Sequence, residues 1–153
     1  MASLGAIFGI VPECSGAVCK GYLNLQAEIP VIRQAAERNG IRFGSDDWFI
    51  LLAIRKAENG RTGCEFGVKH QKARETNLDI QAGWAAATIV KNRYRWIASG
   101  RQGKFIDFLA DRYCPTKDDL EGNENWKVNV KYFYNRFKDS HENTKTRRIK
   151  SDN

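Results

Sequence analysis

The stretch Ser45-Asp46-Asp47-Trp48-Phe49-Ile50-Leu51-Leu52-Ala53-Ile54-Arg55-Lys56-Ala57-Glu58-Asn59-Gly60 decides how the chain is read. The unbroken apolar run from Trp48 to Ile54 covers every side of a helix, so that helix has no face left for water and must sit at the centre of the fold. Ser45 can cap its first free N–H groups, and Asp46 and Asp47 suit the positive end of its dipole. Asn59-Gly60 closes it, because both residues tolerate the left-handed backbone that ends helices. Glu58 thereby falls in the last turn of a buried helix.

Working outward, Pro30 fits a first helical position and opens a short helix from Val31 to Arg38, which Asn39-Gly40 ends. Residues 1–28 show no clear period and read as an irregular arm. Downstream, Arg61 to Thr76 is polar and glycine-punctuated, which predicts an irregular connection or a very short hairpin. Asn77 then caps a long helix in which Leu78, Ala82, Ala85, Ile89 and Trp96 recur at helical spacing as far as Ser99-Gly100. Phe105, Ile106, Phe108 and Leu109 predict a short amphipathic helix stopped at Cys114-Pro115, and Trp126, Val130, Phe133 and Phe137 place one stripe on a final helix. The fold class is mainly α: a helical domain over 29–138 around a central buried helix, with a small irregular or short β segment, followed by a basic, frayed tail over 139–153.

Composition bounds what such a domain can do. With 153 residues, 42% hydrophobic, the chain can bury one core and not two. Its formal charge of +7 draws it to polyanions, and both nucleic acid and bacterial wall qualify. Lys69, His70, Lys72 and Arg74 form one basic cluster, and Arg93, Arg95 and Arg101 another. No apolar run spans a bilayer, and the run from Leu4 to Val11 lacks the basic start and cleavage signal of a secretory leader, so an export route is not legible. Cys14, Cys19, Cys64 and Cys114 permit disulfides without requiring them. His70 and His141 have no companion ligands at metal spacing, so neither metal nor cofactor is expected. Trp48, Trp84, Trp96 and Trp126 lie among apolar neighbours at helical spacing and read as core, although any of them could stack on a sugar.

Glu58 carries the chemistry. It shares a helix face with Leu51 and Ile54, which delivers its carboxyl to the core's edge, and both partial burial and the negative helix terminus favour the protonated acid that a glycosidase needs. The alternative is a solvated last-turn glutamate paired with Arg55 or Arg61.

The run Ala53-Ile54-Arg55-Lys56-Ala57-Glu58-Asn59-Gly60, followed by Gly63-Cys64-Glu65-Phe66-Gly67-Val68, resembles the lysozyme-like superfamily, especially the soluble lytic transglycosylases and goose-type lysozymes. The similarity runs in order over residues 45–137, departs from the family's Gly-Leu-Met-Gln segment at Phe66-Gly67-Val68-Lys69, and fits a remote, phage-encoded branch. It implies a monomeric enzyme of the bacterial cell wall that cleaves peptidoglycan strands between N-acetylmuramic acid and N-acetylglucosamine. Glu58 would be the acid/base, with Glu65, Phe66, Gly67, Asp79 and Tyr113 lining the substrate. Glu65 and Asp79 are the candidates for a second carboxylate, which decides between hydrolysis and a single-glutamate transfer to an anhydro sugar. Two other readings stay open: a basic nucleic-acid-binding or virion-associated module without catalysis, and a chitinase- or chitosanase-like enzyme on the same fold.

Overall fold

The structure, a computed structural model, describes residues 17–68 and 71–151, with side chains placed over 25–68 and 71–143. It is mainly helical. In chain order it has α1 (Ala17–Arg38), α2 (Asp46–Glu58), a short 3-10 turn (Gln71–Glu75), α3 (Leu78–Ala98), α4 (Phe105–Tyr113) and α5 (Leu120–Ser151). Among the described residues there is no strand: residues 61–68 are turns and open backbone rather than a hairpin. No described helix is long and apolar enough to cross a membrane.

Helix α2 is the buried centre that its sequence requires. Every side chain from Trp48 to Arg55 is buried, and the helix packs on α1, α3 and α5. Ser45 Oγ accepts from Trp48 N at 3.3 Å, and Asn59, at φ 44°, ends the helix with its N–H on the Arg55 carbonyl at 3.1 Å. Gly60 serves a different purpose from the one its sequence suggests. Its φ is not positive, but a Cβ there would stand 1.8 Å from the Cys64 carbonyl oxygen, so it is small because the next turn folds back onto it.

Two further sequence expectations are corrected. The segment 17–28 is not an irregular arm but the first half of α1, which carries Pro30 inside it rather than at its start. Leu25, Ile29, Ile32 and Ala36 bury one continuous stripe across the proline, and that burial outweighs the backbone hydrogen bond Pro30 cannot donate. The remainder of the arm, residues 1–16 with Cys14, lies outside the described residues. Likewise α5 does not fray after residue 138 but continues to Ser151. No Gly or Pro interrupts the chain after Gly122, and His141 still packs on Phe49 at 5.4 Å and Phe43 at 6.0 Å, beyond the stripe of Trp126, Val130, Phe133 and Phe137.

The pairing of α2 with α5 fixes the site. Asp46, at the start of α2, meets Tyr134 and Lys138, while Glu58, at its end, meets Trp126, so the two helices run antiparallel. Asp47 pairs with Arg93 of α3, and Asp107 of α4 pairs with Lys131 of α5. Polar ties at both ends thus lock the oily surfaces in register.

Candidate active site

Glu58 is the last residue of α2 and is half-buried, with the helix behind it and the turn 60–68 in front. Its Oε1 accepts a hydrogen bond from Trp126 Nε1 at 2.9 Å. On the other side stands the backbone of Gly67, at φ 68°, where an added Cβ would lie 2.2 Å from Glu58 Oε2. The carboxyl is therefore gripped between an indole on α5 and a backbone that admits no side chain. Among the described residues no Lys or Arg forms an ion pair with it, and Arg55, one of the two arginines that its sequence offers, is engaged by Glu28 and the Glu65 carbonyl instead.

Arg55 explains why the turn 60–68 comes back to Glu58. Its guanidinium is buried and grips Glu28 of α1 through two bonds of 2.8 Å, while Nη1 donates to the Glu65 carbonyl at 3.2 Å. A bidentate pair satisfied on both sides is what makes a buried guanidinium tolerable. On the far side of the turn, the fully buried Gln81 donates through Nε2 to the Gly63 carbonyl at 3.3 Å and to Thr76 Oγ1 at 2.9 Å. The hydrogen bonds of both residues go to the turn and its neighbours, and together they fix where Gly67 stands. Lys56, half-buried beside Arg55, is held below the usual lysine range by its burial and then by the Arg55 charge.

Tyr113, the last residue of α4, stacks on Trp126 with ring centroids 5.0 Å apart and planes 21° from parallel. Burial, and then the negative charge of Glu58, push its hydroxyl well above the usual tyrosine range, so the phenol stays neutral and can donate. The structure thus gathers Gly67 and, by way of Trp126, Tyr113 around Glu58.

The other sequence candidates fall elsewhere. Phe66 is fully buried in the hydrophobic core, so its side chain presents nothing to a ligand. Asp79 sits in the first turn of α3 and bonds Arg38 at 2.6 Å, an ion pair between α1 and α3. Glu65 is 5% exposed, and its Oε2 is buried without a hydrogen-bond partner among the described residues. Among the described residues, the hydrogen bonds made by Glu58 and Asp79 go to Trp126 and Arg38 respectively. Of the basic cluster past the turn, Lys69 and His70 lie outside the described residues. Cys64 and Cys114 are free thiols. Among the described residues no group of His, Cys, Asp and Glu side chains gathers as metal ligands would.

Trp126 is a site residue that sequence reasoning reads first as core, with sugar stacking as the alternative. Its ring is core-like, 8% exposed, but its N–H reaches a carboxyl 68 residues away in the chain. No local pattern carries that contact. The only available signal is that a buried indole must find an acceptor for its N–H. Trp84, also read as core, is 37% exposed.

No protein-family model, curated protein or solved structure matches the chain.

Proposed function

We propose that the chain is a lysozyme-like glycosidase that cleaves peptidoglycan strands between N-acetylmuramic acid and N-acetylglucosamine at the bacterial wall, with Glu58 as general acid and then base. The observation that carries this reading is the setting of the Glu58 carboxyl: half-exposed at the end of a buried helix, oriented by an indole N–H and the Gly67 backbone, and without a cationic partner among the described residues. A carboxyl that served only as structure would gain most from a Lys or Arg beside it. A fixed carboxyl with one neutral donor is suited to handing a proton to a leaving oxygen.

In the first step the bond from the anomeric carbon to the bridging oxygen breaks, and the Glu58 proton goes to that oxygen. The arrangement of the other carboxylates favours the route without water. Asp79 is engaged by Arg38, and the Glu65 side chain is almost wholly buried, so neither is presented to activate a water on the opposite sugar face. The sugar's own hydroxyl then bonds to the anomeric carbon and returns its proton to Glu58, leaving an anhydro sugar. Tyr113, neutral and next to Glu58, would orient the glycan by hydrogen bonding.

Turbidity of a bacterial wall suspension tests the reading. The unaltered protein clears it and Glu58→Gln does not; clearing by both would remove Glu58 from the mechanism. Mass spectrometry of the fragments should find ends lighter by one water than hydrolysis gives. Salt-sensitive binding of DNA with no clearing would instead favour the nucleic-acid module that a charge of +7 permits.

A further inference from the structure

We propose that Trp126 is the positioning residue of the active site, holding the Glu58 carboxyl at one angle through its indole N–H; the proposal rests on Glu58 being the general acid. The geometry excludes the usual role of a tryptophan in a glycan-binding protein. Trp126 is 8% exposed and one of its faces is covered by Tyr113, so it offers no open face for a sugar ring to stack on. What it offers Glu58 is its only donor, at 2.9 Å.

One ring contact and two ties between α4 and α5 set the position of the indole. Tyr113 lies against its ring. One turn before it on α5, the fully buried Asn123 donates through Nδ2 to the Cys114 carbonyl at 2.6 Å and to Asp111 Oδ1 at 3.2 Å, which fixes the end of α4 and hence Tyr113 relative to α5. Farther along, Lys131 pairs with Asp107 of α4. A carboxyl on a rotatable side chain is thereby tied, through one hydrogen bond, to a junction of two helices. Proton transfer depends steeply on the direction of the acid, so the bond acts on the rate of the chemical step rather than on substrate affinity.

Trp126→Phe keeps an aromatic ring, smaller than the indole, and deletes the donor. With soluble glycan oligomers as substrate, kcat should fall on the order of tenfold or more while KM stays where it is. A variant with unaltered kcat, or with a raised KM at unaltered kcat, overturns the proposal, the second result because it would make Trp126 a sugar contact. An NMR measurement with Trp126 intact decides the matter even if Trp126→Phe melts early. The indole N–H resonance, identified by its loss in Trp126→Phe, should move upfield in Glu58→Ala; an unmoved resonance means the bond is not made and the proposal fails. Absence of clearing by the unaltered protein is a separate failure: it sinks the glycosidase reading, and with it any catalytic purpose for the contact, whatever the resonance shows.

Discussion

At the start of α2, Asp46 accepts a hydrogen bond from Tyr134 Oη of α5 at 2.8 Å; at its end, Glu58 accepts one from Trp126 Nε1 of the same helix at 2.9 Å. The two carboxylates share a helix, a partner helix and a kind of donor, and differ in their electrical surroundings. Asp46 stands at the positive pole of α2 and also binds Lys138 Nζ at 3.1 Å. Its carboxyl is held below the usual aspartate range, first by the Tyr134 bond and then by Lys138. Glu58 stands at the negative pole with no cation paired to it among the described residues. One end carries a carboxylate whose partners favour its charge and tie α5 to α2; at the other, among the described residues, no cation is paired with the carboxyl. Side chains of one chemistry thus sit in opposite electrical settings at the two ends of one helix.

Exchanging each carboxylate for its amide tests that contrast most severely. Glu58→Gln should lower wall clearing by about 10² to 10⁴, the usual worth of a general acid, with little change in melting temperature. Asp46→Asn should leave clearing by the folded protein intact. Equal loss of clearing in both variants would erase the distinction between the two ends.

Glycines near the two ends supply a matched second test. Gly67 and Gly44 both have positive φ, 68° and 76°, so alanine at either should destabilise the fold by about 1 kcal/mol. Only at Gly67 does the new methyl collide with Glu58; at Gly44 the nearest atom is His141 Nε2, at 3.3 Å. Gly67→Ala should therefore also cost clearing about tenfold or more per folded molecule, while Gly44→Ala should cost none. Chemical denaturation alongside clearing assays separates the two effects, and comparable clearing by both variants would show that the Gly67 backbone does not hold the carboxyl.

The same contrast explains what can be read from the chain alone. α2 is legible to its ends because every signal there is local: Ser45 before two aspartates, an apolar run with no polar face, Asn59-Gly60 after Glu58. α3 and α4 are legible for the same reason, each being bounded by its own cap or breaker. The length of α1 is not, because Pro30 is a local start signal that buried residues on both sides of it overrule. The extension of α5 is not, because a polar helix shows no apolar period and continues only for want of a breaker. Within the site, Glu58 and Gly67 can be picked out from neighbouring residues, whereas Trp126 reaches Glu58 through the antiparallel packing of α2 on α5, which no stretch of sequence encodes. Phe66 is misread because an aromatic residue between Glu65 and Gly67 suits a cleft wall and a core equally well.

The acidic limb of stability sharpens the comparison at the Asp46 end. A carboxyl whose folded pKa is depressed adds stability above its unfolded value and loses it as pH falls through the folded one. Asp46→Asn should thus cost about 0.5 kcal/mol near neutral pH, a modest figure because the side chain is 61% exposed and screened. The gap between variant and parent should close as pH drops below the ordinary aspartate value of 3.8. Thermal melts of both proteins between neutral pH and about pH 2 measure it, a window wide enough to carry an aspartate from fully charged to fully protonated. A gap that persists at the acid end would mean that Asp46 contributes packing rather than charge.

Tyr134→Phe should have the smallest effect, and it completes the comparison because it repeats at one end of α2 the deletion made by Trp126→Phe at the other. It removes the hydroxyl from Asp46 and leaves both the ring and Lys138 in place. Burial, and then the bond to Asp46, keep that hydroxyl protonated, so over the neutral range it is never an anion and can always donate. With the Lys138 ammonium still satisfying the carboxylate, the loss should be a few tenths of a kcal/mol, about one degree in melting temperature, with kcat unaltered. The two substitutions each take one donor from an aromatic residue of α5, and what differs is the work of the carboxylate that each donor holds. A fall in kcat for Tyr134→Phe equal to that for Trp126→Phe would mean that both act through the seating of α5 on α2, and that Trp126 has no private line to Glu58.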